Sequence, residues 1–346
     1  MGKLKSLIQI GKSSVQKRPS IVLVDLTYKC NFNCSFCFYD KKKRKDLKLK
    51  EWKDIIDQIK VWLGSVFIDF SGGEPLLNKD CLDILSYSKK CGLITSMSTN
   101  ASLITKDIAK KIVNLNLYRI GVSIQGTKNT HKMITNKPYF EKMIRGIKLL
   151  IAEKIKNNSK TRIYARVIIH NKNLGEIKDI LSLIKELGFD EVVFRPLLYS
   201  NELMKKYEKK DLWIKDQNKL IKVIDCLKEE KKRGSTNVKI TNTYQNLDLF
   251  EKYYFIDKGL VNSGKPPCST AFKFIEISCD GNIKNCCLTL GNIKDLTLKN
   301  IYKSNSKKIR AQSQKCTKLG LIGSYEKTST KTKIIKAYNM MFDSKV

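Results

Sequence analysis

Three cysteines, Cys30, Cys34 and Cys37, stand in the stretch CNFNCSFC directly after the apolar run SIVLVDLTYK. Three soft sulfur ligands this close together bind a metal or a metal–sulfur cluster, or run thiol chemistry; the spacing does not suggest a disulfide frame. A structural zinc ion calls for four ligands, and the next cysteine, Cys81, lies in NKDCLDIL, which reads as a helix. Three thiolates on one loop suit a cubane iron–sulfur cluster with three irons held by protein and the fourth open. A second stretch, SGGEPLL (71–77), follows the next apolar run. Its glycines let the backbone come close to a ligand, and Glu74 offers a carboxylate to a cationic amino group. Alone, GGEP is most often a plain turn.

The elements that must position these loops are legible as alternating apolar runs and helical patterns. Strands are expected at 21–26, 66–70, 92–98, 119–124, 162–170 and 191–197. Between them, apolar residues recur at helical spacing, as in Trp52, Ile55, Ile56, Ile59 and Leu63, and in Leu174, Ile177, Leu181, Ile184 and Leu187 with Gly188 as C-cap. Six βα units imply a parallel sheet with right-handed crossovers and functional groups on the loops after the strand C-termini. After about residue 200 the pattern changes to a charged helix over 212–233 and an aromatic-rich connector. FIEIS then reads as a strand and DGN as a hairpin turn, with Gly281 supplying the positive φ.

With 346 residues, 42% of them hydrophobic, the chain can bury a large core. No run of eighteen apolar residues suggests a membrane span, and the basic start lacks a signal-peptide core. A cytoplasmic location is therefore expected; the MG start with Ser6 matches only a loose myristoylation pattern. The net charge of +34 invites a nucleic-acid reading. Yet arginine, the residue suited to bidentate phosphate and guanine contacts, supplies only nine of the 67 basic residues. A general lysine bias is the simpler account, so nucleic acid is not the expected partner. The densest basic run, 41–50, directly follows the cysteine loop.

CNFNCSFC resembles the CxxxCxφC signature of the radical S-adenosylmethionine (SAM) superfamily, with Phe36 at the aromatic position, and SGGEPLL resembles that family's second motif in the expected order. The resemblance covers about residues 18–200 and implies an α/β fold, a partial (β/α)6 TIM-type barrel. It implies a [4Fe–4S] cluster on Cys30, Cys34 and Cys37, with SAM held by Gly72, Gly73 and Glu74. MSTN implies further cofactor contacts through Ser98 and Asn100. SIQG places Ser123 near the ribose, with Gln125 where an acid is usual, and Arg166 could meet the SAM carboxylate; core packing is an equally good reading of these later positions. The implied reaction is reductive cleavage of SAM to a 5′-deoxyadenosyl radical that abstracts a hydrogen atom, under anaerobic conditions and with an electron donor such as flavodoxin or ferredoxin.

Cys268, Gly281 and Cys286 obey C-x12-G-x4-C, which resembles the opening of the SPASM and twitch extensions that carry auxiliary clusters, with Cys316 as the next ligand. The family usually supplies a further cysteine nearby and CTKL does not. Cys287 is one candidate, although neighbours on a strand face opposite ways; an open iron, an oxygen ligand or loss of the cluster are the others. Cys81, Cys91, Cys226 and Cys279 read as ordinary cysteines, and His131 and His170, near strand ends, as structural. The expected organisation is a basic segment 1–17, a core barrel 18–200, a helical connector 201–259, a small α+β extension 260–317 and a polar tail 318–346. A peptide or protein is the expected substrate. A nucleotide or RNA, a sugar or another small molecule is the alternative, and a non-catalytic iron–sulfur or zinc protein is a third reading.

Overall fold

A computed structural model describes residues 18–39, 45–234, 238–256, 272–285 and 288–315. The six expected strands form as β1 (Ile21–Thr27), β2 (Phe67–Gly72), β3 (Ile94–Thr99), β4 (Arg119–Ser123), β5 (Arg162–Ile169) and β6 (Glu191–Pro196). All pair in parallel with their neighbours in chain order. The intervening helices are α1 (Leu49–Leu63), α2 (Cys81–Lys90), α3 (Lys106–Asn114), α4 (Lys128–Thr135), α5 (Phe140–Lys156) and α6 (Ile177–Leu187). Gly188 closes α6 in the left-handed region, at φ 83°, as its position after the last apolar residue led one to expect.

The connector after β6 contributes more than helices. It contains α7 (Asn201–Lys209), α8 (Gln217–Arg233), a short parallel strand β7 (Lys239–Ile240) beside β6, and α9 (Tyr244–Glu251). Helix α8 starts at Gln217 rather than at Leu212 because Asp216 caps it, accepting from the Lys219 N–H at 2.8 Å. The aromatic segment read as a connector is helical and clamps the strand ends: the Tyr253 hydroxyl donates to the Leu197 carbonyl at 2.6 Å and that of Tyr254 to the Ile169 carbonyl at 2.7 Å.

The extension strands are β8 (Phe274–Ile277), β9 (Asn282–Asn285) and β10 (Leu288–Asn292), followed by α10 (Leu298–Ser304) and α11 (Ser306–Lys315). Gly281 makes the β8–β9 turn at φ 88°. These strands continue the barrel sheet, because β8 pairs in parallel with β1. The result is one open sheet of ten strands in the order β10-β9-β8-β1-β2-β3-β4-β5-β6-β7. Helix α10 lies on α1, where the Trp62 and Tyr302 rings meet at a tilt with centroids 5.2 Å apart and Gln58 accepts from the Leu298 N–H at 2.9 Å.

The two faces of this sheet differ in chemistry. On the outer face Val22, Val24, Ile68, Phe70, Val167 and Phe194 are wholly buried against the helices. Strand registry aligns a second set on the concave face: Asp25 with Ser71, Asp69 with Ser96, Ser123 with Arg166, and Ile168 with Arg195. Many of these inner residues keep part of their surface accessible. The barrel interior is thus a polar trough rather than the packed apolar core of a closed barrel.

Helix α5 closely approaches the turn after β3 at Gly146, where a Cβ would lie 2.0 Å from the Ala101 carbonyl oxygen. Alanine is the better helix former by about 1 kcal/mol. Gly146→Ala should nevertheless destabilise the chain by about 1–3 kcal/mol through overpacking; a urea midpoint that rises instead would contradict the close approach.

Candidate active site

The cysteine loop leaves the C-terminal end of β1 and is braced on three sides. At the end of α4, where helix carbonyls lack intrahelical donors, Thr135 accepts from the Asn33 N–H and Ile134 from the Ser35 N–H, each at 2.8 Å. Asn136, left-handed at φ 52°, donates its side-chain amide to the Asn33 carbonyl at 2.7 Å. From α7, Lys206 reaches the Cys37 carbonyl at 2.7 Å. Beneath the loop, Phe32 packs on His131 and Phe36 on His170. Burial lowers both imidazoles, His131 to about 4 and His170 to about 3, so the floor is uncharged at neutral pH. His131 sits on α4 rather than near a strand end.

Cys30, Cys34 and Cys37 are all partly exposed. The Phe32 N–H points to the Cys30 sulfur at 3.4 Å, a donor suited to a thiolate. No three Cys, His, Asp or Glu side chains among the described residues converge as ligands of a single ion. A cubane asks something different of the loop, since each thiolate binds its own iron.

Against this loop lies the turn after β2. The Gly73 N–H donates to the Thr27 carbonyl at 2.7 Å and the Glu74 N–H to the Lys29 carbonyl at 2.8 Å. A Cβ on Gly73 would meet the Lys29 carbonyl oxygen at 2.1 Å, and Gly72 adopts φ 114°. Both glycines are therefore needed to seat the two loops together.

The side chain of Glu74 is tied into the strand ends around it. It is fully buried and accepts from the Thr99 hydroxyl at 2.7 Å, the Asn100 N–H at 2.7 Å and the Leu76 N–H at 3.3 Å. It ties the end of β2 to the end of β3. Burial raises its pKa to about 7 against the opposing effect of these donors.

Of the other expected contacts, Ser98 and Arg166 come together across the trough, the guanidinium donating to the hydroxyl at 2.6 Å. Ser123 lies beside Arg166 in register. Asn100 donates its amide to the Asn31 side-chain oxygen at 2.8 Å, and Asn31 in turn donates to Ser102 at 2.7 Å. Asn100 thus holds the cysteine loop. The Gln125 side chain accepts from the Ile168 N–H at 3.3 Å, in the strand layer. Cys268, Cys286, Cys287 and Cys316 lie outside the described residues.

A polar cluster not anticipated from the sequence adjoins the cysteine loop on the β1 side. Asp25 is 1% exposed and accepts from the Tyr39 hydroxyl at 2.8 Å and from Ser71 at 3.3 Å, while its Oδ2 has no partner. Nearby on β8 and β9, Glu276 pairs with Lys284 at 3.6 Å. Burial first, then the Glu276 charge, lift Asp25 to about 7, opposed by Tyr39, Lys284 and Ser71. The clue in the sequence was an acid inside the otherwise apolar run IVLVDL. Its partners could not be read there, because they arrive from β8 and from the loop after Cys37.

Residues 24–184 match the model of the Radical SAM superfamily. Fe-coproporphyrin III synthase of Methanosarcina barkeri is 30% identical over 222 residues, which cover 63% of this chain and 53% of the synthase; the chain thus spans about half the length of that relative. A probable GTP 3′,8-cyclase of Saccharolobus islandicus is 26% identical over 285 residues, covering 79% of this chain and 84% of the cyclase. Streptococcus suis SuiB, solved with S-adenosylmethionine and also with its precursor peptide SuiA, shares the fold. In the SAM complex the TM-score is 0.63 at 16% identity, covering 83% of this chain and 66% of SuiB. Among the described residues no helix is long and apolar enough to cross a membrane.

The environment of Asp25 predicts a pH effect. Its carboxyl keeps its proton in the folded chain up to about pH 7, whereas an unfolded aspartate releases it near pH ~4. Stability from this group is full below the unfolded value, falls as pH rises through that window, and is level above it. Asp25→Asn should remove this dependence, so the variant gains on the wild type between pH 4.5 and 8 in urea unfolding. A midpoint difference that does not change with pH would show that Asp25 is ionised throughout.

Proposed function

We propose that this chain is a radical SAM enzyme that holds a [4Fe–4S] cluster on Cys30, Cys34 and Cys37 and acts on a C–H bond of a peptide or protein. The observation that carries the reading is the three-thiol loop clasped to the Gly72–Gly73 turn at the rim of a polar trough. When bound, cluster and SAM supply one-electron cleavage of a C–S bond and abstraction of a substrate hydrogen atom. The chain's own residues position and shield. Phe32 and Phe36, backed by neutral His131 and His170, keep the underside of the loop apolar. The Ser98 hydroxyl holds the Arg166 guanidinium, which would meet the SAM carboxylate, and Ser123 beside it would serve the ribose. Glu74 acts at one remove, by fixing β2, β3 and Asn100 relative to one another.

A peptide substrate is favoured by the shared architecture with SuiB. A nucleotide or other small acidic molecule is the second reading, favoured by the arginines of the trough. A one-electron donor of flavodoxin or ferredoxin type suits the exposed Lys45, Lys48 and Lys50 downstream of the cysteine loop. In the extension, Cys268, Cys286 and Cys316 are assigned an auxiliary cluster, and 18–200, 201–259 and 260–317 are taken as barrel, connector and extension.

Anaerobic reconstitution tests both cluster assignments. The wild type should carry about eight irons per chain and make 5′-deoxyadenosine from SAM under reduction. Replacing Cys30, Cys34 and Cys37 together with Ala should remove about four irons and all 5′-deoxyadenosine while leaving the fold intact, since the loop lies outside the core. Continued formation of 5′-deoxyadenosine would refute the assignment; a wild type that stops near four irons, all lost in this variant, would refute the auxiliary cluster.

A further inference from the structure

We propose that Arg195, at the C-terminal end of β6, is an oxyanion-binding subsite for an acidic group of the substrate. The inference rests on the reading that the trough receives the substrate, and it concerns a residue with no part in the cysteine loop or its bracing. It begins from how this chain uses arginine. Lysine outnumbers it by fifty-eight to nine, yet four of the nine, Arg119, Arg162, Arg166 and Arg195, share the inner face of three adjacent strands. On the inner face of β4, β5 and β6 the chain places the planar, five-donor fork rather than the far more abundant lysine.

Three of the four have visible employment. Arg162 pairs with Glu191 at 3.0 Å, and Arg166 donates to Ser98. Arg119 lies between the rings of Phe67 and Tyr164, 5.0 and 4.9 Å from their centroids. Arg195 has none. Among the described residues no carboxylate lies within ion-pair distance of it, no ring covers it as rings cover Arg119, and its Nε, like that of Arg119, is buried without a hydrogen-bond partner. Desolvation, then repulsion from Arg166 and Arg119, pull its pKa down to about 10; Asp69 is the one carboxylate that opposes them. Asp69 is itself occupied, accepting from Ser96 at 2.5 Å and Ser98 at 3.4 Å.

An enclosed cation without a counter-charge is unfavourable unless a ligand completes it. The position suits a ligand. Arg195 aligns with Ile168, one inner-face step beyond Arg166 toward the strand C-termini, and retains accessible surface. Its backbone is held on both sides. Phe194 exchanges two hydrogen bonds with the Asn242 side chain, at 2.8 and 2.9 Å, and the Leu197 N–H donates to Tyr254 at 2.9 Å. The fork is therefore presented from a fixed strand, and its geometry matches a carboxylate or a terminal phosphate bidentately.

The test is calorimetric titration of the reconstituted, SAM-saturated full chain with malonate and with inorganic pyrophosphate. At least one should bind, and which one distinguishes a carboxylate substrate from a phosphorylated one. Arg195→Gln should weaken that probe by about 10–100-fold, the worth of a charged hydrogen-bonded contact, and Arg195→Lys should fall between. SAM affinity should change by less than about threefold, well under a tenfold effect. Binding of neither probe, equal binding by wild type and the glutamine variant, or a parallel loss of SAM affinity would overturn the proposal, the last by assigning Arg195 to the cofactor. The titration involves no turnover, so a wild type that fails to make 5′-deoxyadenosine would overturn the enzymatic reading and leave the anion result to stand by itself.

Discussion

The site depends on the contact between the loops that leave β1 and β2. Two adjacent parallel strands end at the same level, and their exits must run side by side. Here they touch backbone to backbone, Gly73 against the Lys29 carbonyl and Gly72 against that of Thr27, with no space for a Cβ. The cysteine loop is thereby fixed to the glycine turn without any side chain mediating. Glu74 extends the restraint inward to β3, and Asn100 and Asn31 return it to the cysteine loop. The loops after β1, β2 and β3 thus form a closed circuit of hydrogen bonds.

Around this circuit the sheet separates two kinds of chemistry. The outer face supplies stability through apolar burial against helices, and the inner face is free to be polar. The residues there assort largely by strand: Asp25, Asp69 and Glu276 on β1, β2 and β8, Ser96 and Ser98 on β3, and four arginines on β4 to β6, where Glu191 pairs with Arg162.

The parts legible in the sequence were those encoded locally. The six strands, the Gly188 cap, the Gly281 turn and the two ligand-type motifs all depend on residues within a few positions of one another. The parts that were not legible depend on registry and distant pairing. EVVFRPL reads as a buried strand, and only the alignment of Ile168 with Arg195 places that guanidinium in the trough. The carboxylate of Glu74 follows a glycine turn whose direction no periodicity reports. The extension read as a separate module because nothing near Phe274 signals that its partner is Ile21.

That last pairing bears on the order in which the chain assembles. Strand β1 has β2 on one side, available soon after synthesis, and β8 on the other, about 250 residues later. Until β8 emerges, the ladder groups along one side of Ile21–Val24 have no partner, and an apolar, β-branched segment presents an open edge. Closing so long a loop costs more chain entropy than pairing β1 with β2. The cysteine loop begins just beyond β1, so it is carried by a strand that becomes internal only when nearly all of the sheet has been made.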